Sequence, residues 1–242
     1  MTRRHRFHKC HSRRYTGCSC RNCCIGLGLA VFSEQTAHGT TADGKRRALY
    51  EQAFARLTPD GRLDIRVGIQ TIGQGLETTL AQIAVERIGI DISDVHVRLG
   101  DTENSPYSTG AWGSRGIVWA GGAVARACEE IARRVASIGA ALLQTDIGSV
   151  EVRDGGVYGP NGSLSFRDIA KSYYLTPADL PGDTDSRGLE TTEGYAPDRL
   201  TGIHTGSVHA TTVAVDPETG GVEILDYVIT EDAGTLINPM IV

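Results

Sequence analysis

The stretch GIQTIGQGLETT, residues 68–79, joins two kinds of periodicity. Before it and into it, Leu63, Ile65, Val67 and Ile69 alternate with other residues, the period-two pattern of a strand with one buried face. After it, Leu80, Ile83, Ala84 and Ile88 fall on one helical stripe, with Glu77 in the first turn and Gly89 placed to cap the end. The junction itself is Gly73-Gln74-Gly75. A strand-to-helix turn needs glycine flexibility, and most such junctions are only turns. Glycines also leave a backbone bare, so that a bulky guest can approach while the intervening amide side chain is aimed at it. Free N–H groups at a helix start suit an anionic or oxo-bearing ligand. A phosphate-cradling G-x-x-x-x-G-K-[ST] loop is excluded, because no lysine follows.

Outward from this junction, residues 26–37 and 50–57 read as strands, and Pro59-Asp60-Gly61 turns the second of these into a hairpin with 63–70. Residues 95–99 alternate as a further strand. A polar, glycine-rich loop then runs from 100 to 116, long enough inside a folded domain to suggest function or mobility. The alanine-rich run 121–143 is a long helix with Val124, Cys128, Ile131, Val135, Ile138 and Leu142 as its apolar stripe. A hairpin around Asp154-Gly155-Gly156, a short helix over 165–172 capped by Ser165 with Asp168 three residues on, and a Pro/Gly/Asp-rich connector at 177–187 follow. Two strands, 207–216 and 222–231, close the pattern. The expected architecture is α+β, with mainly antiparallel sheets and packing helices.

The composition of the 242 residues, 40% hydrophobic and 22% charged, is that of a globular protein able to bury a sizeable core. No apolar run reaches the length of a membrane span, and a cytoplasmic location with no membrane partner is expected. The net charge of −5 is uneven. Residues 1–24 hold seven Lys and Arg and no acid, and subtracting that seven leaves −12 for the rest, a poor surface for nucleic acid. The same segment holds Cys10, Cys18, Cys20, Cys23 and Cys24. Cys20-x-x-Cys23 fits zinc spacing, whereas Cys18-x-Cys20 and Cys23-Cys24 do not. The expected organisation is a Cys/Arg-rich leader over 1–24, foreign to the fold, and a domain over 25–242 with subregions of about 25–148 and 149–242. An end at Val242 directly after apolar sequence reads as a truncation.

Among single residues, Ser105, Tyr107, Ser108, Thr109, Ser114 and Arg115 in the glycine-rich loop could hydrogen-bond a heteroaromatic or phosphorylated cofactor, or simply be solvated. Cys128 lies on the apolar stripe and reads as a core residue. His38, His96, His204 and His209 are scattered, and no Ser–His–Asp order emerges. Glu77 reads as capping, and Asp232 as a turn or site acid.

Five collinear blocks carry a family resemblance: GLAVFSEQTAHGT (28–40), VGIQTIGQGLETTLAQIAVERIGI (67–90), VRLGDTENSPYSTGAWGSRG (97–116) with AGGAV (120–124), HATTVAVDPETGGVEILDYVITEDAG (209–234) and INPMIV (237–242). Together they resemble the large, molybdopterin-binding subunit of the xanthine dehydrogenase/aldehyde oxidase family of molybdenum hydroxylases, with the carbon monoxide dehydrogenase-like branch most similar. The resemblance implies part of the second molybdopterin-binding region. It also implies a molybdenum–molybdopterin cofactor, in bacteria usually the cytosine dinucleotide form. Gln74 would approach an oxo ligand of the metal, with Gly73 and Gly75 permitting the approach, and Ser114 and Arg115 would lie near the cofactor. The implied reaction is hydroxylation of an aldehyde, N-heterocycle or carbon monoxide with water as oxygen source. Electrons would pass to Fe–S and FAD subunits. The family's catalytic glutamate falls beyond Val242, so no catalytic residue is expected here and the piece alone should not turn over. Leu76 stands where the carbon monoxide branch commonly has histidine, and Ala233 where the family has cysteine. The competing readings are a metal- or nucleic-acid-binding module built on the leader, and an inert truncated product.

Overall fold

A computed structural model of the chain describes residues 24–37, 51–182, 184, 187–196 and 203–242. These form two compact units that are interleaved in sequence. One, of residues 24–34 and 205–233, is a three-stranded sheet in the order β1-β9-β10, with β1 at Cys24–Thr36, β9 at Ile203–Val215 and β10 at Val222–Asp232. Strands β9 and β10 are an antiparallel hairpin with a register shift between Ile224 and Asp226. The expected strands at 26–37, 207–216 and 222–231 are all present.

The other unit, residues 35–204 and 234–242, is built on a four-stranded sheet in the order β4-β3-β2-β8. Its strands are β2 (Glu51–Leu57), β3 (Leu63–Val67), β4 (Val95–Leu99) and β8 (Glu190–Tyr195). β2 and β3 form the expected hairpin, with Gly61 at φ 84° in the turn. β4 departs from a purely antiparallel sheet: it lies parallel to β3. The reason is that α1 (Leu76–Ile88) intervenes, and a strand returning to its neighbour through a helical crossover must run parallel. The sequence reading assigns no element between the connector at 177–187 and the strand at 207–216, where β8 lies. In the structure it pairs antiparallel with β2 and completes the sheet. Its ETTEGY sequence, with alternating polar residues and a glycine, lacks the apolar pattern that marks a strand.

The core fills one face of this sheet. Ala53, Ala55 and Leu57 of β2 and Leu63, Ile65 and Val67 of β3 face α1 and α2 (Gly121–Leu142). α1 contributes Leu76, Leu80, Ala84 and Ile88, spaced four apart, and α2 contributes Val124, Ala127, Cys128, Ile131, Val135 and Ile138. Each large aliphatic among them stabilises the fold by about 1.5–3 kcal/mol. Gly89 ends α1 in the left-handed conformation at φ 69°, as its position predicted. A third sheet, β5 (Glu151–Arg153), β6 (Gly156–Gly159) and β7 (Gly162–Ser165), extends the expected two-stranded hairpin by one strand. α3 (Phe166–Leu175) starts at Ser165 with a reciprocal capping box to Asp168.

Candidate functional site

At the junction that opens α1, Gly73 and Gly75 adopt φ 97° and 76°, values that only glycine takes freely, so the two glycines are required by the turn itself. A side chain at Gly73 would meet nothing within 4 Å. Gly75 is the N-cap of α1 and offers no side-chain cap to the first helical N–H groups. Gln74 is exposed, and its amide has a fixed polarity. Oε1 accepts from Ile72 N at 2.8 Å and from the Thr71 hydroxyl at 3.1 Å, while Gly73 N donates to Thr71 Oγ1 at 3.3 Å. The carbonyl end is thus turned back into its own loop, and the amide NH2 is the end left to meet a guest as a donor.

Three other segments of the same unit converge on this corner. Ile241 of the C-terminal block sits against Gly75, where an added Cβ would come within 2.8 Å of Ile241 Cδ1. Leu76, at the position following Gly75, points into the core rather than outward and packs beside Gly116, 3.6 Å from where a Cβ would stand. Through that contact the 110–116 loop lies next to the Gly73–Gly75 corner. Ala37, of the first block, donates its N–H to Gly113 O at 2.8 Å. The earlier part of the 100–116 loop lies against the segment that follows β3: a Cβ on Gly68 would meet the Pro106 carbonyl and Ser108, and one on Gly100, the loop's first residue, would meet Gln70.

Within the loop, neighbouring residues face opposite ways. Gly113 and Ser114 are exposed and both have positive φ, 57° and 52°. Arg115 is 1% exposed and enters the interior. Its Nη2 lies 3.0 Å from Glu51 Oε2, its Nη1 donates to Gly110 O at 2.7 Å, and its guanidinium stands 5.6 Å from the Trp119 ring and 6.0 Å from the Trp112 ring. Ser108 Oγ donates to the same Glu51 oxygen at 2.7 Å and accepts from Gly110 N at 3.0 Å. Burial pushes the Glu51 carboxyl above its ordinary range, and the Ser108 hydroxyl and the Arg115 charge oppose that rise. Directly after Arg115 comes a π-helical turn, Gly116–Ala120, before α2 begins. Such turns concentrate at functional sites.

The structure thus sets Gly73, Gln74 and Gly75 at the start of α1 and brings the end of the loop that carries Ser114 against Leu76 through Gly116, with Arg115 buried rather than on the surface. Glu51 escaped the sequence reading. The signal was available: Glu51 shares the inward parity of Ala53, Ala55 and Leu57, and an acid at such a position demands a buried partner. Cys128 is a core residue whose thiol burial pushes up to about 12. His209 bonds the Tyr227 hydroxyl at 2.8 Å through Nδ1 and stands in ring contact with Phe32. Tyr107 is exposed and Ser105 N donates to Asp101 O. Residues 1–23 of the leader, with Cys10, Cys18, Cys20 and Cys23, and His38 lie outside the described residues, while Cys24 is exposed as the first residue of β1.

Residues 8–242 match the molybdopterin cofactor-binding domain. The chain belongs to that family. It is 33% identical over 224 residues to the nicotine 6-hydroxylase large subunit of Paenarthrobacter nicotinovorans and 32% identical over 224 residues to the carbon monoxide dehydrogenase large chain of Hydrogenophaga pseudoflava, covering 90% of this chain and 27% of each relative. The chain thus spans about a quarter of the length of these relatives. Quinoline 2-oxidoreductase from Pseudomonas putida 86 superposes with a TM-score of 0.76 at 32% identity, over 90% of this chain and 28% of that one. Carbon monoxide dehydrogenase from Oligotropha carboxidovorans gives 0.76 at 29% identity, over 90% and 27%. The chain is a partial molybdopterin-binding subunit of the molybdenum hydroxylase oxidoreductases, with the α+β fold of these neighbours.

The corner fits such a cofactor. Gly73 leaves open space beside it, whereas the space beside Gly75 is filled by Ile241, and the Gln74 NH2, the uncapped N–H groups of α1 and the exposed Ser114 are all donors suited to an oxo- and phosphate-bearing anion. Among the described residues no group of three His, Cys, Asp or Glu side chains could hold a metal ion. A metal held through the sulfur atoms of a pterin would need no such side-chain group from this chain. No helix among the described residues is long and apolar enough to cross a membrane.

Proposed function

We propose that this chain forms one wall of the molybdenum-cofactor site of a multi-subunit hydroxylase. The observation that carries the reading is the fixed polarity of Gln74, whose carbonyl is consumed by Thr71 and Ile72 so that only a donor faces outward. In this reading Gln74 donates to the oxo-bearing face of the cofactor, Gly73 leaves room for it, Gly75 provides the left-handed turn that starts α1, and Ser114 donates from the adjoining loop. Arg115 serves the same cofactor by holding that loop. The bound cofactor supplies oxidative hydroxylation of an aldehyde, N-heterocycle or carbon monoxide with water as the oxygen source. The relatives named as a nicotine hydroxylase and a carbon monoxide dehydrogenase favour this range of substrates. The cytosine dinucleotide form of the cofactor, a cytoplasmic location, and Fe–S and FAD partner subunits that accept the electrons belong to the same proposal. That one relative is a subunit of a 6-hydroxypseudooxynicotine dehydrogenase complex supports a multi-subunit assembly.

The test is purification of the enzyme containing this chain, with molybdenum and pterin quantified against protein. Both are expected to copurify, and Gln74→Ala is expected to lower their retention and the hydroxylation rate. An active enzyme free of molybdenum would refute the proposal.

A further inference from the structure

Glu51 is buried completely at the start of β2, and its carboxylate is tied to two residues more than fifty positions away in sequence. Both tie to the same third residue. Arg115 reaches the carbonyl of Gly110 and Ser108 receives its N–H, so Glu51, Ser108, Gly110 and Arg115 close a ring of hydrogen bonds, three of which have a charged partner. Ser114, immediately before Arg115, holds a left-handed backbone, φ 52°, that is unfavourable for a non-glycine residue. A conformation of that kind persists only where its surroundings over-determine it. Here two anchors do so: the Gly113 carbonyl is held from one side by Ala37 N, and the Arg115 guanidinium is held from the other by Glu51. What lies between them, turned outward, is the Gly113–Ser114 segment.

Resting on the cofactor-wall reading above, we propose that Glu51 is a positioning residue. Through Arg115 and Ser108 it fixes the outward-turned Gly113–Ser114 segment in the geometry that meets the cofactor. Arg115 in turn acts as the link and does not touch the cofactor, because its fork is spent on Glu51 and Gly110 inside the protein.

A buried ion pair also stabilises a fold against loss of one partner, so the test separates the two roles by a double-mutant cycle. The full chain is expressed in a molybdopterin-producing host as wild type, Glu51→Gln, Arg115→Met and the double variant. Melting temperature, hydrogen exchange of the 108–116 amides, and bound molybdenum and pterin are measured for each. Either single variant strands a buried polar or charged group and melts early. The double variant removes both charges and regains most of the melting temperature. Cofactor retention is expected to stay about 10–100-fold down in all three, as for loss of a group supporting a ligand contact. Exchange across 108–116 is expected to stay fast. Retention that recovers together with melting temperature in the double variant would overturn the proposal. So would singles that retain the cofactor as wild type does. A wild-type chain that binds no molybdopterin would overturn the cofactor-wall reading and this proposal with it, and that failure is recognised by appearing before any substitution is made.

Discussion

Gly68 follows the last residue of β3, and the 100–116 loop is laid directly over it. A Cβ there would come 2.5 Å from Ser108 Cβ and 3.2 Å from Ser108 N, and would press on the Pro106 carbonyl. Carbon atoms pack at about 3.5–4.0 Å, so Gly68→Ala must push this part of the loop away by about 1 Å. The colliding atoms are backbone and Cβ, not the tip of a flexible side chain that could swing aside. The Ser108 hydroxyl now lies 2.7 Å from Glu51 Oε2, and the same displacement carries it beyond hydrogen-bonding range. Overpacking costs about 1–3 kcal/mol and a lost hydrogen bond to a charged group about 1.5–3 kcal/mol, so the loss is about 2.5–6 kcal/mol. At about 2–4 °C per kcal/mol for a chain of this size, the melting temperature should fall by roughly 5–25 °C. Exchange at Gly110 N, which depends on Ser108 Oγ, should accelerate. Gly148→Ala is the control, since a Cβ there meets nothing within 4 Å and should leave both readings unchanged. A Gly68→Ala protein that melts within about 2 °C of wild type (under ~1 kcal/mol), with Gly110 exchange unaltered, would refute the reasoning that glycine seats the loop.

The core and the charged surface give further expectations. Leu80→Ala, at a fully buried position between α1 and α2, should destabilise by about 2–5 kcal/mol in urea titration without moving the loop amides. Glu130 is held at about 2 by the Arg133 hydrogen bond and by Arg134, below its ordinary 4.5. Because the folded value is the lower one, the pair stabilises fully above about pH 4.5 and the contribution drains away as pH falls toward 2. The urea midpoints of wild type and Glu130→Gln should therefore differ at pH 7 and converge through that window. With its thiol pushed up to about 12 and no exposure, Cys128 should escape Ellman's reagent in the native protein. Cys128→Ala should accordingly lower the thiol count by one in denaturant and by none before it.

Where a residue's role was set by its near neighbours in sequence, the sequence disclosed it. The α1 stripe, the Gly89 cap and the Ser165/Asp168 capping box are relations among residues three or four apart, and each is present. So is the strand-to-helix corner, whose glycines need their positive φ for local reasons. Legibility failed where the partner lay far along the chain. β8 is a strand because β2 offers it a free edge, a fact that ETTEGY does not contain. β4 is parallel because α1 separates it from β3, and that depends on the order of elements rather than on VHVRL. Arg115 shows the same limit within the site. Its sequence context, a basic residue among hydroxyls and glycines, suggested a surface that grips an anion. The fold instead supplies Glu51 from a strand that precedes it by 64 positions and draws the guanidinium inside. An exposed arginine would hold an anionic cofactor by charge and would lose that grip as salt screened it. One that is buried and neutralised contributes shape, and a cofactor wall whose charge is cancelled from within must recognise its guest by the placement of N–H and O–H groups. In the proposed wall Gln74 and Ser114 supply those groups, and retention of the cofactor is expected to depend on geometry more than on ionic strength.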